Sequence, residues 1–250
     1  MSDGKYLLGG GRVQAPSSDR ARIVPAPLSA SDGDIAAAGR RWRWSASAWL
    51  FVRDGGAAIA GLSGGQLGGS QAGVRIGYAI DAARRLVLYG RYSTPLRQPG
   101  AEAAIGLDWR PTTLPIRLIA EHRLPQTTQG GGPTIGIVGG VGPTPLPLKF
   151  SLEGYGQAGL IVRDQGIGFA DGAVRVARRI GHIGDVKLSI GAGAWGAIQP
   201  DAARLDLGPT IGINLPVKGR SLRLNIDWRQ RVAGQARPAS GPTLTLGADF

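Results

Sequence analysis

The feature that most constrains this chain is an alternation of apolar and polar side chains with a period of two residues, and it is clearest over residues 243–250. One parity of that segment consists of Leu244, Leu246, Ala248 and Phe250, and the other consists of Thr243, Thr245, Gly247 and Asp249. Successive side chains of a β-strand point to opposite faces, so the segment is predicted to be a strand with one apolar surface and one polar surface. A sheet with an apolar outer face can cross a bilayer only if it closes on itself, because open edges would leave backbone groups without hydrogen bonds.

The same alternation recurs along most of the chain. About twelve candidate strands, at the ten-residue scale of membrane strands, are separated by turn signals. Their approximate spans are 42–53, 71–80, 86–94, 101–110, 116–123, 134–141, 148–162, 170–180, 186–198, 203–215, 221–232 and 242–250. The pattern therefore predicts an all-β fold, a single antiparallel transmembrane β-barrel of about 12 strands over residues 41–250, whose last strand pairs with its first.

Some segments fit this pattern less well than others. Segment 134–141 is the weakest candidate strand, since its Gly, Ile and Val residues also suit a loop. The Gly-rich stretches 54–70 and 124–133 fit outer loops, and the short stretches 81–85 and 216–220 fit tight turns. A soluble β-sandwich is the alternative architecture, because its strands alternate in the same way with the apolar face buried between two sheets.

Composition agrees with an all-β domain but does not select its environment. The 250 residues include 42 Gly, which favours frequent turns, and only 18% are charged although the formal net charge is +12. There is no Cys, so disulfides and thiolate metal sites are excluded. Residues 1–40 are predicted to be an irregular linker or lead segment, without the apolar core of a signal peptide.

The polar parity identifies candidate residues of a barrel lumen. The basic candidates are Arg75, Arg110, Arg123, Arg175, Arg204 and Arg229, and the aromatic candidates are Trp49, Tyr89, Tyr155 and Trp195. Two interpretations of the charged set remain open: a ladder of ion pairs that fills a narrow barrel, or a positively biased path for an anionic or heavily hydroxylated solute. The rings, likewise, either stack on sugars or fill the space beside strand glycines.

Other chemistry is not favoured by the sequence. His122 shares the parity of Leu118 and is predicted to face lipid or the interface, while His182 is predicted to lie in a Gly-flanked turn. No set of residues has the spacing of a catalytic triad or of metal ligands, so we predict no catalytic residues, no metal and no cofactor. The basic residues are spread over alternate positions rather than clustered, so no nucleic-acid partner is expected.

Several motifs resemble one family of bacterial outer-membrane proteins. The strongest are Gly191-Ala192-Gly193-Ala194-Trp195-Gly196, Arg204-Leu205-Asp206-Leu207-Gly208-Pro209 and Asp227-Trp228-Arg229-Gln230-Arg231. Weaker matches are 68–75, 102–111, 120–123, 153–159 and 170–172. Together they resemble the C-terminal barrel of the NfrA-type bacteriophage adsorption protein A family and, more distantly, the cellulose-export porin barrel.

The resemblance implies a function and a set of partners. It implies a passive, non-enzymatic barrel in the bacterial outer membrane, in contact with the bilayer and lipopolysaccharide, that serves as an exopolysaccharide-export pore or as a surface receptor for phage. It also implies that Phe250 is a signal for the barrel assembly machinery, since such barrels typically end on an aromatic residue. Members of the family generally carry tetratricopeptide repeats before the barrel, and no 34-residue helical repeat precedes Trp42 here.

Overall fold

The computed structural model of the chain describes residues 43–53, 69–81, 83, 85–97, 100–125, 131–162, 166–200, 202–217 and 220–250. These residues form twelve β-strands and one short 3₁₀ helix, Pro147–Lys149. The strands are β1 (Trp44–Arg53), β2 (Gln71–Ala79), β3 (Leu86–Pro95), β4 (Glu102–Trp109), β5 (Ile116–Pro125), β6 (Gly132–Pro145), β7 (Phe150–Ile161), β8 (Ile167–Ile183), β9 (Val186–Gln199), β10 (Ala202–Val217), β11 (Arg220–Ala233) and β12 (Gly241–Asp249). The predicted linker 1–40 and Trp42 lie outside the described residues.

All twelve strands belong to one closed antiparallel barrel in which each strand pairs with its neighbours in sequence. β12 returns to β1 in a register that runs from Ser47 opposite Asp249 to Arg53 opposite Thr243. Phe250 extends this pairing, since its amide nitrogen lies 2.7 Å from the carbonyl oxygen of Ala46. The predicted closure of the first strand on the last is therefore confirmed, and the twelve strands leave no unpaired sheet edge.

The two ends of the barrel differ in their connections. At one end, which we call the turn end, the connections are short; β8 and β9 are joined by Gly184 and Asp185, and Gly184 has a φ of 58° that favours glycine. Arg43 and Phe250 also lie at this end. At the opposite end, the loop end, β1 ends and β2 begins, and the 234–240 connection joins β11 to β12.

The barrel has an apolar outer surface and a polar interior. Ile105 is 55% exposed and Ile135 is 56% exposed on the outside, whereas Asp206 and Asp227 are each only 1% exposed inside. A sandwich would bury its apolar parity between two sheets, so the single closed sheet excludes that alternative. The described residues contain no helix that is long and apolar enough to cross a membrane.

One weak prediction is confirmed and two local predictions require correction. The weak sixth segment is a full strand of 14 residues, and a register shift between Val141 and Thr144 lets it accommodate an irregularity and continue. His182 lies in β8 rather than in a turn, because a similar shift between Arg179 and Gly181 allows that strand to extend to Ile183.

The second correction concerns Lys149, which lies within the candidate strand 148–162. Lys149 instead ends the 3₁₀ helix, where its φ is 64°, so the parity of β7 does not reach it. It is exposed, and β7 begins one residue later at Phe150.

Candidate functional site: the arginine-rich barrel interior

The inward parity places most of the charged strand residues inside the barrel, where they form two clusters. We call the first the β2–β5 cluster: Arg75, Tyr89, Arg91, Glu102, Asp108, Arg117, Glu121 and Arg123. We call the second the β8–β1 cluster: Arg53, Arg175, Arg204, Asp206, Thr210, Asp227, Arg229 and Thr243. Cross-strand neighbours share a face, so these residues line the interior by geometry alone.

In the β2–β5 cluster, Asp108 joins three strands. Its Oδ2 atom lies 2.6 Å from Nη2 of Arg75 on β2 and 2.9 Å from Nη1 of Arg117 on β5. The guanidinium carbon of Arg75 also lies 4.1 Å from the ring centroid of Tyr89, a distance suited to a cation–π contact. One carboxylate therefore holds two arginines, and an aromatic ring covers one of them.

The second carboxylate centre of that cluster is Glu121. Its Oε1 atom accepts hydrogen bonds from Arg91 at 2.9 Å and from Arg123 at 2.7 Å, and its Oε2 atom accepts one from the Tyr89 hydroxyl at 2.7 Å. Arg91 also donates to Glu102 at 3.0 Å. These side chains are all buried, so this part of the lumen is filled by a connected polar network.

In the β8–β1 cluster, Asp227 is the centre of a similar network. It accepts hydrogen bonds from Arg175 at 3.1 Å, Arg229 at 3.3 Å, Thr210 at 2.6 Å and Thr243 at 3.3 Å. Arg175 reaches Asp227 from β8, so this contact passes over β9 and β10. Such a reach requires the side chains to extend into the lumen rather than along its wall.

Asp206, on β10, is the other carboxylate of the β8–β1 cluster. Arg53 donates to it from β1 at 3.0 Å, and Arg204 donates from the same strand at 2.8 and 3.0 Å. Arg53 and Arg204 also donate hydrogen bonds to the 234–240 connection at the loop end of the barrel.

The 234–240 connection folds inward at the loop end. Ala236 is fully buried, and Arg231, Arg204 and Arg53 donate to the carbonyl oxygens of the connection. The accepting residues and distances are Ala236 at 2.8 Å, Pro238 at 3.1 Å and Ala239 at 2.9 Å, respectively. Three lumen arginines therefore hold this connection against the mouth of the barrel.

The buried aromatic side chains pack against glycines and arginines. The Trp49 ring occupies the space beside Gly73, where an added Cβ atom would lie 2.2 Å from ring carbon Cζ2. The guanidinium carbon of Arg229 lies 4.4 Å from the ring centroid of Trp195 and 4.9 Å from that of Phe51. The rings thus fill space and cover cations at the same time.

Most of the residues predicted from the sequence lie in or beside these clusters. Arg75, Arg123, Arg175, Arg204 and Arg229 belong to them, and Trp49, Tyr89 and Trp195 are buried inside the barrel. The structure brings these residues together, and their role in binding a ligand stays a prediction.

The remaining two predicted residues are Tyr155, which faces the lumen on β7, and Arg110, which lies at the turn end. Tyr155 pairs with Ala173 across the β7–β8 ladder and is hydrogen-bonded to Asp171. Arg110 follows the last residue of β4 at the turn end, where its amide donates to the carbonyl oxygen of Arg85.

The most important residue absent from the predicted set is Arg53. It is the last residue of β1 and is 2% exposed, and it contacts both Asp206 and the inward-folded connection. Its parity with Trp49 and Phe51 was the signal that could have identified it. That signal was weak because the glycine-rich stretch 54–70 follows immediately.

The interior has more basic than acidic groups. In the β8–β1 cluster, the two carboxylates of Asp206 and Asp227 are shared by the guanidinium groups of Arg53, Arg204, Arg175 and Arg229. Arg175 also lies 3.8 Å from Glu153, so four guanidinium groups face three carboxylates. Among the described residues, no group of three or more His, Asp or Glu side chains could hold a metal ion. The arrangement is therefore suited to holding anions or hydroxyl groups by hydrogen bonds and charge.

Comparison with solved structures finds several barrels. The chain is similar to the β domain of the Bordetella autotransporter BrkA, with 14% identity, a TM-score of 0.45 and coverage of 83% of this chain and 99% of that one. LpxR from Salmonella typhimurium gives 11% identity and a TM-score of 0.44, with coverage of 82% and 99%. A bacterial polysaccharide outer membrane secretin gives 7% identity and a TM-score of 0.43, with coverage of 83% of this chain and 97% of that one.

No family model matches the sequence, and no curated protein matches it. The resemblance to the NfrA-type family thus stays a prediction. Since the similarity scores are low, the assignment of the fold rests on the strand pairing itself: the chain is a closed, twelve-stranded antiparallel β-barrel with an apolar exterior and an arginine-rich interior.

Proposed function

We propose that this chain is an outer-membrane β-barrel with a passive role, in which the arginine-rich interior offers a narrow path or binding site to an acidic or heavily hydroxylated polysaccharide. The observation that carries this proposal is the sharing of two buried carboxylates among four arginines in the β8–β1 cluster. Residual positive charge in a confined lumen attracts anions.

Membrane insertion is supported by the exterior. Large apolar side chains, including Ile76, Ile105, Ile135 and Ile198, are each more than half exposed on the outside. A water-soluble protein rarely exposes so extensive an apolar surface, whereas a lipid-facing band requires it. Trp44 and Phe250 at the turn end, and Trp228 toward the loop end, fit two interfacial aromatic belts.

The expected partners follow from this placement. The outer surface would contact the bilayer and lipopolysaccharide. Phe250 would be recognised by the barrel assembly machinery, and its 54% exposure leaves it accessible for this contact.

The filled interior supports a barrel that is closed at rest. Eight-stranded barrels are filled by side chains and barrels of about sixteen strands are open, so twelve strands are intermediate. Here the ion-pair clusters and the inward-folded 234–240 connection occupy the interior. The same observation favours a second candidate: a surface receptor, for example for phage, which needs no open channel.

A barrel fold does not by itself determine whether a protein is an enzyme, and absence of catalysis stays a prediction.

Planar-bilayer conductance tests the path. We expect the reconstituted barrel to prefer anions in a salt gradient and Arg229→Gln to shift the reversal potential toward cation preference. Arg220→Gln is the matched control, because it removes the same charge from the outer face and should leave selectivity unchanged. Cation preference in the parent barrel, or equal shifts in both variants, would contradict the electropositive path. No conductance in any of them would favour the receptor.

A further inference from the structure

The outer face of the barrel carries very little charge, and what it carries lies at the turn end. Among the described strand residues, the outward parity includes two charged side chains other than histidine, Arg178 on β8 and Arg220 on β11. Arg220 is the first residue of its strand, and its guanidinium carbon lies 5.0 Å from the ring centroid of Phe250. No comparable contact with an aromatic ring is made by Arg178 among the described residues.

The position of Arg178 follows from its ladder partners. It pairs with Phe150, the first residue of β7, on one side and with Ile190 on β9 on the other. Both partners are apolar and Ile190 is 48% exposed, so Arg178 shares the outer face with them. Its guanidinium makes no hydrogen bond or ion pair with any described residue.

An uncompensated cation on a lipid-facing surface has a cost that depends on depth. Arginine on the outside of a barrel costs about 2–4 kcal/mol at the bilayer midplane and about 0–1 kcal/mol near the interface. The start of β7 places Arg178 near the turn end, and Phe150 beside it suits an interfacial aromatic position. At that level, phosphate groups of lipids are the abundant anions.

An open cavity lies at the same place on the outer face. Its volume is about 490 Å³, and it is lined by Phe150, Arg178, Arg179, Ile180, Ile190 and Gly191. The register shift between Arg179 and Gly181 lies at its edge, and such bulges re-aim side chains. The cavity therefore combines the outward guanidinium group of Arg178 with apolar walls, which match a phosphate and the beginning of an acyl chain.

We propose that this cavity, the Arg178 cavity, binds the phosphodiester headgroup of an anionic diacyl phospholipid. Arginine binds phosphate oxygens through a planar fork of donors, and a lipid with net negative charge also neutralises the cation. Short turns of outer-membrane barrels face the periplasm, so the lipid belongs to the periplasmic leaflet rather than to the lipopolysaccharide leaflet. The inference rests on the proposed membrane insertion and extends it to one specific lipid.

Native mass spectrometry of the detergent-purified, folded chain tests the site. With phosphatidylglycerol, phosphatidylcholine and lipid A offered at equal concentration, we expect one phosphatidylglycerol to be retained in preference to the others. Arg178→Gln should weaken that binding about tenfold. Ile190→Trp should weaken it similarly by filling the cavity while keeping Arg178.

Arg220→Gln is the matched control, since it removes an outward arginine at the same end but not at the cavity, and it should retain the lipid. Equal loss of lipid binding in Arg178→Gln and Arg220→Gln would show general electrostatic attraction and would overturn the site. Preferential retention of lipid A would overturn the assigned leaflet.

Heat-modifiable mobility on the same samples separates the proposed lipid site from the proposed membrane insertion. A folded barrel that inserts into vesicles but binds no phosphatidylglycerol contradicts the lipid site alone, whereas a chain that stays folded without detergent and does not insert contradicts the proposed function.

Discussion

Nη1 of Arg53 on β1 lies 3.0 Å from Oδ2 of Asp206 on β10, although β12 and β11 separate these two strands in the barrel wall. Each side chain is only 1% exposed. The pair therefore ties together parts of the sheet that share no backbone hydrogen bonds. Since Arg53 also holds the carbonyl oxygen of Ala239, the tie connects the wall to the inward-folded connection.

Replacing Arg53 with Met tests this tie. Removal of one member of a buried ion pair costs about 3–5 kcal/mol, so we expect a clearly lower midpoint of urea unfolding in detergent. Loss of the bond to Ala239 should also loosen the 234–240 connection and raise single-channel conductance. Arg97→Met, at an exposed position, is the control. An unchanged midpoint in Arg53→Met would show that the contact does not stabilise the barrel.

Replacing Asp227 with Asn tests the charge balance of the lumen. The amide keeps the size of the side chain but leaves Arg175 and Arg229 without their shared negative charge. We expect a destabilised barrel and, in the fraction that folds, a stronger preference for anions measured as a reversal potential. Asp185→Asn in the β8–β9 turn removes the same charge outside the lumen. A shift toward cations in Asp227→Asn would be inconsistent with these roles.

The contact between Trp49 and Gly73 allows a more local test. An added methyl group at Gly73 would overlap the Trp49 ring, so Gly73→Ala should displace it and cost about 1–3 kcal/mol. Gly90 lies on β3 with nothing within 4 Å of an added Cβ atom, and Gly90→Ala should therefore be tolerated. Tryptophan fluorescence and the urea midpoint measure both effects. Equal behaviour of the two variants would argue against tight packing at Trp49.

The orientation of side chains predicts how arginine substitutions affect insertion. Ile105→Arg places a charge on the outer face and should lower the folded fraction in vesicles, with a cost of about 2–4 kcal/mol if the site is near the midplane. Asn225→Arg points into the lumen opposite Gly212 and should fold. Heat-modifiable mobility on gels reports the folded fraction. Efficient insertion of Ile105→Arg would contradict a lipid-facing position.

Most of the fold could be predicted from the alternation of apolar and polar side chains. It predicted the number of strands and the β1–β12 closure because a period of two directly encodes which face each residue occupies. It failed at the bulge in β8, where Arg179 and Gly181 are separated by a register shift, and at Lys149 before β7. Bulges and short 3₁₀ turns interrupt parity without a distinctive sequence signal.

The candidate site was only partly predictable, because parity gives the face of a side chain but not its partner. Arg175 was predicted to point inward, yet its contact with Asp227 depends on barrel diameter and stagger, which bring β8 near β11. The inward fold of 234–240 likewise depends on contacts with three distant arginines. Such tertiary contacts have no period in the sequence.

The pairing of β1 with β12, which closes the barrel and which we call the seam, affects the order in which the sheet forms. Every other strand pairing joins sequence neighbours and can form as a local hairpin, whereas this one brings together the two most distant strands and has the highest contact order in the sheet. The entropy of closing so long a loop is recovered only when the circle is complete, so the seam is expected to form late. If the chain inserts as proposed, two strand edges would until then lack partners in hydrocarbon, so we expect insertion and cyclisation of the sheet to be one cooperative event.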